Sequence, residues 1–294
     1  MKAYEIQEFG LENLALVDRE TPRPKPNEVL VRFHAVSLNY RDYMIATGTY
    51  NPKMKLPVVP FSDGAGEVAE AGSGVTKWKS GDRVMPTLAQ RWFDGDFTES
   101  IRRMSLGSGA HCDGVLREYG TFSEDSVVRI PDHLSFQEAA TLPCAAVTAW
   151  NALWVSGKLK PGESVLTLGT GGVSIFAIQF AKLFGARVIA TSSSDEKIDK
   201  LKLLGANETI NYRDREDWDA AVLDLTDGTG VDHVVEVGGA GTLGRSINSA
   251  RFGGHVAMIG ALTGAAGFNP ITVFMKAVRL QGIFVGSRSM FEDM

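Results

Sequence analysis

The clearest chemistry in the sequence lies in Leu168-Gly169-Thr170-Gly171-Gly172-Val173-Ser174. The apolar run Ser164–Leu168 reads as a buried strand and Val173–Phe184 as a helix, so the glycines occupy the turn between them. Gly169 permits a tight turn, and Gly171 lets the backbone come close to a ligand. The third position of the G-x-G-x-x-G pattern packs helix on strand, and the small Ser174 serves there. A helix starting at such a turn offers N–H groups and partial positive charge, which suits a pyrophosphate. A glycine-rich turn alone would say little. The strand before it, the helix after it and the next strand-like run, Arg187–Thr191, supply the setting that dinucleotide binding needs. Gly169, Gly171, Gly172 and Val173 are therefore candidate cofactor-binding residues, as are Gly238 and Gly260, which follow the apolar runs His233–Val237 and His255–Ile259.

The end of the second strand bears on which dinucleotide is bound. An NAD(H) site places Asp or Glu there to hold the ribose hydroxyls, and that acid repels a 2′-phosphate. Here the residues are Thr191-Ser192-Ser193-Ser194, and Asp195 is expected to cap the helix that follows. Ser192 and Ser193 can donate hydrogen bonds and Lys197 can supply charge, which favours NADP(H). The plain alternative is a serine-rich loop with Lys197 in solvent.

The elements around this turn form a consistent pattern. Up to residue 127 the chain is β-rich, with strands read at Glu28–Phe33 and Gly64–Val68 and turn and strand material over Gly74–Val84. Gln90–Gly114 has little hydrophobic period and reads as a long surface loop or lid, and His111-Cys112-Asp113 within it reads as loop. After Ile130-Pro131 the pattern changes. Ser135 and Glu138 form a capping-box signature ahead of an apolar helix over 139–155, interrupted at Leu142-Pro143. Short β runs then alternate with helices, the helix Asp195–Leu204 ending at Gly205, which implies a doubly wound parallel sheet of Rossmann type.

Composition narrows the function classes. The 294 residues are 44% hydrophobic and 22% charged, with a net charge of −5, as expected of a soluble enzyme and not of a nucleic-acid or anionic-membrane binder. The two cysteines, Cys112 and Cys144, cannot build a disulfide framework or a four-cysteine zinc lobe, which suits a reducing, cytoplasmic setting. The N-terminus has no apolar signal region, and no run reaches the ~18 apolar residues of a membrane span.

Several motifs stand in an order that resembles the medium-chain dehydrogenase/reductase superfamily, in particular its zinc-free, quinone-oxidoreductase-like branch. They are Asn39-Tyr40-Arg41-Asp42, Phe61-Ser62-Asp63-Gly64-Ala65-Gly66-Glu67-Val68, Gly81-Asp82-Arg83-Val84, Ala139-Ala140-Thr141-Leu142-Pro143, the glycine turn and Gly205-Ala206. The resemblance covers essentially the whole chain. It implies an N-terminal GroES-like β-barrel domain (1–127), a Rossmann NADP-binding domain (128–290), an active site in the cleft between them, and a return segment that begins at 291–294 and continues in relatives to complete the barrel. It also implies a homodimer joined through Rossmann edge strands, here the Gly282–Gly286 run. By the same resemblance Lys197 and Tyr212 bind the 2′-phosphate and Thr148 touches the nicotinamide end.

Zinc-dependent members hold their metal with Cys, His and Cys. The corresponding residues here are Asn39, Ser62 and Cys144, and one thiol cannot fill a tetrahedral site, so no metal is expected. Arg41 replaces the proton-relay hydroxyl of the alcohol dehydrogenases. Hydride transfer to a quinone or α,β-unsaturated carbonyl, whose oxygen collects charge that hydrogen-bond donors can stabilise, suits such a site better than alcohol oxidation. Asn39, Arg41 and Tyr43 are the candidate catalytic residues; each has a structural alternative, loop organisation for Asn39 and pairing with Asp42 or Asp63 for Arg41. Tyr43 stands one step before the tyrosine position of quinone-reducing relatives. Cys144 reads either as a buried small hydrophobe or as a thiol open to electrophiles. The expected partner is a small electrophilic substrate. A carbonyl or alcohol oxidoreductase of the same fold and a non-catalytic NADPH-binding sensor remain open.

Overall fold

The structure is a computed structural model that describes residues 1–108, 112–260, 262–264, 267 and 269–294. The chain divides into two compact units, Met1–Val147 with Val285–Met294, and Thr148–Phe284. The division read from the sequence fell at 127/128. Residues 128–147 belong with the first unit because their contacts lie there: the Phe136 ring stacks on His34 at 4.4 Å, Arg83 lies over the same ring, and the Cys144 N–H donates to Asp63.

In the first unit, β1 (Lys2–Ile6) and β2 (Leu14–Asp18) form a hairpin. β3 (Glu28–Ser37), β4 (Asp63–Ala71), β5 (Arg83–Pro86), β6 (Tyr119–Ser123) and β7 (Val127–Arg129) form an antiparallel sheet ordered β6-β3-β4-β5-β7. Val29, Val31, Val68, Val84, Phe122 and Val127 pack into its core, as strand alternation requires. Between β3 and β4 lies α1 (Tyr40–Ala46), whose start is fixed when the Asn39 N–H donates to Asp42 Oδ2 at 2.8 Å. Ile45 and Ala46 pack α1 onto Ile6, Met54 and Val58. The long loop expected from Gln90 is mainly irregular, yet it holds α2 (Glu99–Arg102), and an antiparallel bridge joins Ala89 to Ser105. His111 of the His-Cys-Asp triplet lies outside the described residues, while Asp113 accepts hydrogen bonds from Arg19 and from the Val59 N–H.

The capping box before α3 (Phe136–Ala139) is present: Ser135 Oγ accepts the Glu138 N–H and the Glu138 carboxylate accepts the Ser135 N–H. The apolar helix expected over 139–155 is broken into unequal turns. A wide π-type turn spans Leu142–Ala146, where Pro143 lacks an N–H; α4 (Val147–Trp150) follows, then a second wide turn, Asn151–Val155.

In the second unit β8 (Ser164–Leu168), β9 (Arg187–Ser192), β10 (Glu208–Asn211), β11 (Val231–Glu236), β12 (Ala250–Met258) and β13 (Arg279–Gly282) form a parallel sheet ordered β10-β9-β8-β11-β12-β13. They alternate with α5 (Gly172–Leu183), α6 (Asp195–Leu203), α7 (Trp218–Leu225), α8 (Ala240–Ser249) and α9 (Ile271–Met275). This is the Rossmann order, with the topological switch between β8 and β11. Both sheet faces are covered, which is why the strands read as unbroken apolar runs: Leu166, Ile189, Val234 and Val256 enter one core cluster, and Val165, Val188, Ala190 and Val235 the other. The Gly282–Gly286 run, expected as an edge strand, is not a strand beyond Gly282. β13 lies three residues earlier, paired with His255–Met258, and its polar make-up suits the end of the strand order, where one side packs less. α10 (Arg288–Asp293) belongs to the first unit, where the Arg288 and Ser289 N–H groups donate to the Trp92 and Phe93 carbonyls. Among the described residues no helix is long and apolar enough to cross a membrane.

Candidate functional site

The glycine turn joins β8 to α5 with Gly171 at the helix N-cap. Gly169 has φ +70°, a left-handed backbone that favours glycine. A Cβ built on Gly169 or Gly171 would meet no protein atom within 4 Å. Gly172 and Val173 open the first turn of α5, and buried Ser174 donates through Oγ to the Leu168 carbonyl at 2.6 Å, holding that turn to the strand end. The Gly169 N–H donates to the Thr191 carbonyl at 2.9 Å, which ties the turn to β9. A bare backbone at a helix N-terminus, facing open space, fits a dinucleotide pyrophosphate.

At the end of β9, Ser192 is buried and its Oγ has no hydrogen-bond partner, and Ser193 is half-buried. The cap of α6 is Ser194. Asp195 is not the cap expected from the sequence but the first helical residue, and its Oδ1 accepts the Asn211 side-chain N–H at 3.1 Å. Ser192 lies opposite Asn211 in the β9–β10 register, and its carbonyl accepts the Tyr212 N–H at 3.0 Å. Sheet register therefore brings Tyr212 to the Ser192–Ser194 turn, with its ring exposed; Lys197 is exposed on the first turns of α6. Thr148 is buried at the start of the second unit.

Gly238 and Gly260 come together at the carboxyl ends of β11 and β12, but their polar backbone groups are engaged inside the protein. The Gly238 N–H donates to Glu236 Oε1 at 2.7 Å, and its carbonyl accepts from Thr263. A Cβ on Gly260 would stand 1.7 Å from the Val237 carbonyl oxygen, so only glycine fits there.

In the first unit the structure gathers Asn39, Arg41, Asp42, Asp63 and Cys144. Asp63 is fully buried at the start of β4; its Oδ1 accepts the Ser62 hydroxyl at 2.8 Å and its Oδ2 the Cys144 N–H at 3.0 Å. Burial pushes its pKa from 3.8 to about 7, against the pull of Ser62, Asn39 and the Cys144 N–H and with the help of Asp42. Asp42 is likewise raised by burial, opposed by Arg41 and the Asn39 N–H. Burial also raises the Cys144 thiol, and Asp63 adds to the effect. For Arg41, burial works against the charge, yet Tyr50, Asp42, Cys144 and Asp63 together hold its pKa above the ordinary value. Its guanidinium lies over the Tyr50 ring, and both terminal nitrogens donate to the Leu106 carbonyl at 3.2 Å. Arg41 thus anchors the inner end of the loop that begins at Gln90. Asn39 Nδ2 is buried, and the amide acts on the Asp63 carboxylate, pulling its pKa down. Tyr43 goes the other way: it is exposed, with its ring 5.8 Å from that of Tyr40.

This donor set does not fit a tetrahedral zinc. Asn39 and Ser62 offer an amide and a hydroxyl, the Cys144 thiol is held protonated, and a buried guanidinium stands beside them. Among the described residues no three His, Cys, Asp or Glu side chains are grouped to hold an ion.

The sequence reading named Asp63 only as a possible partner of Arg41 and did not single out Glu236. Each is a carboxylate at the end of a strand-forming stretch with a glycine within two residues, which is the signal that could have found them.

The chain matches the alcohol dehydrogenase GroES-like domain over residues 25–132 and the zinc-binding dehydrogenase family over residues 172–294. It is 44% identical over 293 residues to a zinc-type alcohol dehydrogenase-like protein of Schizosaccharomyces pombe, covering 97% of this chain and 84% of that one. A solved structure of an NAD-dependent alcohol dehydrogenase superposes with a TM-score of 0.88 at 36% identity, covering 98% of this chain and 86% of the other. The Escherichia coli quinone oxidoreductase, solved with NADPH, superposes with a TM-score of 0.83 at 26% identity, covering 100% of this chain and 85% of the other. With a GroES-like unit, a Rossmann unit in the superfamily's strand order, and relatives matched along nearly its whole length, this chain belongs to the medium-chain dehydrogenase/reductase superfamily of oxidoreductases.

Proposed function

We propose that this protein is an NADPH-dependent reductase that delivers hydride to a quinone or an α,β-unsaturated carbonyl without a metal. The observation that carries the cofactor choice is the end of β9. Its hydroxyl-bearing turn has Lys197 and Tyr212 beside it, and the nearby acid, Asp195, is engaged by Asn211. Among the relatives, one structure is described as NAD-dependent and another was solved with NADPH, so the choice rests on these residues.

In this reading Gly169, Gly171, Gly172 and Val173 hold the pyrophosphate, Ser192, Ser193, Lys197 and Tyr212 the 2′-phosphate end, and Thr148 the nicotinamide end. Bound NADPH supplies the hydride. The chain's own residues orient the acceptor and stabilise the negative charge on its oxygen. Tyr43 Oη is exposed and donates a hydrogen bond to that oxygen. Arg41 acts as a buried, fixed positive charge, and Asn39 orders the Asp63 carboxylate behind it. The reaction needs no alkoxide, so the missing ligand set is no obstacle to it.

The test is NADPH oxidation with an ortho-quinone, a 2-alkenal and a saturated ketone as acceptors, NADH in parallel, and zinc analysis of the active protein. Turnover of the quinone or alkenal with NADPH preferred supports the reading. Turnover of the ketone alone would move it to carbonyl reduction, NADPH binding with no turnover to a sensor, and stoichiometric zinc in the active form would overturn the metal-free part.

A further inference from the structure

Glu236 ends β11 and is fully buried. An unpaired carboxylate there would be costly, yet this one accepts four hydrogen bonds. Oε1 accepts the N–H groups of Gly238 at 2.7 Å and Gly239 at 2.8 Å and the Thr242 hydroxyl at 2.7 Å, and Oε2 accepts the Ser246 hydroxyl. The Glu236 carbonyl accepts the N–H groups of Ile259 at 2.8 Å and Gly260 at 3.2 Å. One residue therefore grips the chain as it leaves both β11 and β12. Thr263 closes the arrangement: its Oγ1 donates to the Gly238 carbonyl at 2.8 Å and accepts the Gly241 N–H at 2.7 Å.

The place matters. β11 borders β8 at the topological switch, and open α/β sheets bind ligands outside the carboxyl ends of the strands at that point. The glycine turn after β8 and the Gly238–Gly241 backbone after β11 flank the same switch. The shape of the second is set not by its own sequence but by a buried carboxylate and a threonine hydroxyl.

We propose that Glu236 and Thr263 are positioning residues for the dinucleotide, fixing the backbone at Gly238–Gly241 and Gly260 in the form that receives its nicotinamide half. The inference rests on the dinucleotide reading above. It assigns to Gly238 and Gly260 a role as held backbone and places the side chains that determine affinity one layer behind them.

The test uses Thr263→Val, which removes both hydroxyl bonds at an exposed residue, with Glu236→Ala and Glu236→Gln. Glutamine keeps the shape: its Oε1 accepts the three Oε1 bonds, and its Nε2 donates to Ser246 Oγ. Dissociation constants for NADPH and NADH, KM and kcat, and thermal melting are measured for each. Expected are a rise of ~10-fold or more in KM and Kd for Thr263→Val and Glu236→Ala, equal for both dinucleotides, a kcat within ~2-fold, and rescue of most of the affinity by Glu236→Gln. Lys197→Ala serves as the contrast, weakening NADPH alone. Should Glu236→Ala not fold, Thr263→Val carries the test. Unchanged dinucleotide affinity in Thr263→Val, with wild-type protein binding normally, overturns the inference and leaves the dinucleotide reading standing; wild-type protein that binds neither dinucleotide overturns both.

Discussion

The Cys144 backbone N–H donates to the Asp63 carboxylate at 3.0 Å, joining residues 81 apart in sequence. Burial sets the chemistry of both side chains, and the bond, which favours the ionised carboxylate, offsets it only in part at Asp63. Asp63 is held in a buried pocket where its pKa rises to about 7, and that carboxylate in turn helps keep the Cys144 thiol protonated. Cys144 is expected to react with iodoacetamide far more slowly in the folded protein than in denatured protein at pH 8. Equal rates would place the thiol in an exposed, activated setting instead.

Asp63 also shapes the dependence of stability on pH. An acid whose pKa is raised on folding binds its proton more tightly folded than unfolded. It therefore costs nothing below the unfolded value of 3.8, costs progressively more as pH rises, and costs fully above about 7. The full difference is on the order of 4 kcal/mol at ~1.4 kcal/mol per unit. Asn at this position accepts the Cys144 N–H through its Oδ1 and donates through Nδ2 to Ser62 Oγ, whose hydroxyl turns from donor to acceptor. Denaturant unfolding at pH 5 and pH 8 should show a smaller loss with rising pH in Asp63→Asn than in wild type. Parallel curves for the two proteins would count against a raised pKa.

His255 has the opposite sign. It lies opposite His233 and Arg279 in the sheet register, its Nδ1 is 3.4 Å from that of His233, and His233 Nε2 meets Glu163 at 2.9 Å. Burial, then Arg279 and His233, push the His255 pKa from 6.5 to about 3; burial also lowers His233, against the pull of Glu163 and Asp232. Keeping His255 neutral leaves stability intact above 6.5 and erodes it as pH falls from 6.5 towards 3. His255→Gln, which cannot titrate, should unfold less readily than wild type at pH 4.5 relative to pH 7.5, most visibly in the Asp63→Asn background. An unaltered acid limb would sink this assignment.

Two glycines separate binding from folding. A Cβ on Gly171 meets no protein atom within 4 Å, whereas one on Gly260 would sit 1.7 Å from a carbonyl oxygen. Gly171→Ala should melt like wild type yet lose ~10-fold or more in dinucleotide affinity. Gly260→Ala should be destabilised by several kcal/mol or fail to accumulate as folded protein, by the size of overpacking effects. Normal NADPH binding by Gly171→Ala would exclude the glycine turn as the pyrophosphate site.

Cofactor preference is predicted to reside in Lys197 and Tyr212. Removing a hydrogen bond to a charged group costs ~1.5–3 kcal/mol, so Lys197→Ala should lower NADPH affinity by about one to two orders of magnitude. Tyr212→Phe should act in the same direction, and neither should affect NADH. A variant that weakens both dinucleotides equally would place these residues elsewhere than at the 2′-phosphate.

Much of the second unit was legible from local pattern. Ser164–Leu168 is a strand at the residues read, and the helix after the glycine turn differs by one residue at each end. The Ser135–Glu138 cap is present as well. The last strand was misplaced because an apolar run marks burial, and β13 is a polar strand at the end of the sheet order. The candidate catalytic residues Asn39, Arg41 and Tyr43 are the least legible part. Residues 39 to 43 span the N-cap and first turn of α1, where Asp42 is buried, the Arg41 guanidinium reaches the Leu106 carbonyl and Tyr43 is exposed, a split that residue type alone does not reveal.

The sequence by itself determined the α/β class, the glycine turn, the lack of an acid at the end of the second strand and the lack of a Cys-His-Cys set, because each depends on residue type at short spacing. Tertiary structure decided the rest. Leu106 claims the nitrogens of Arg41, Asn211 holds Asp195, Glu236 organises two glycine turns, and Asp63 titrates near neutrality. Each of these depends on partners brought in by other elements or on exclusion from water, and neither desolvation nor a distant donor is written in local sequence.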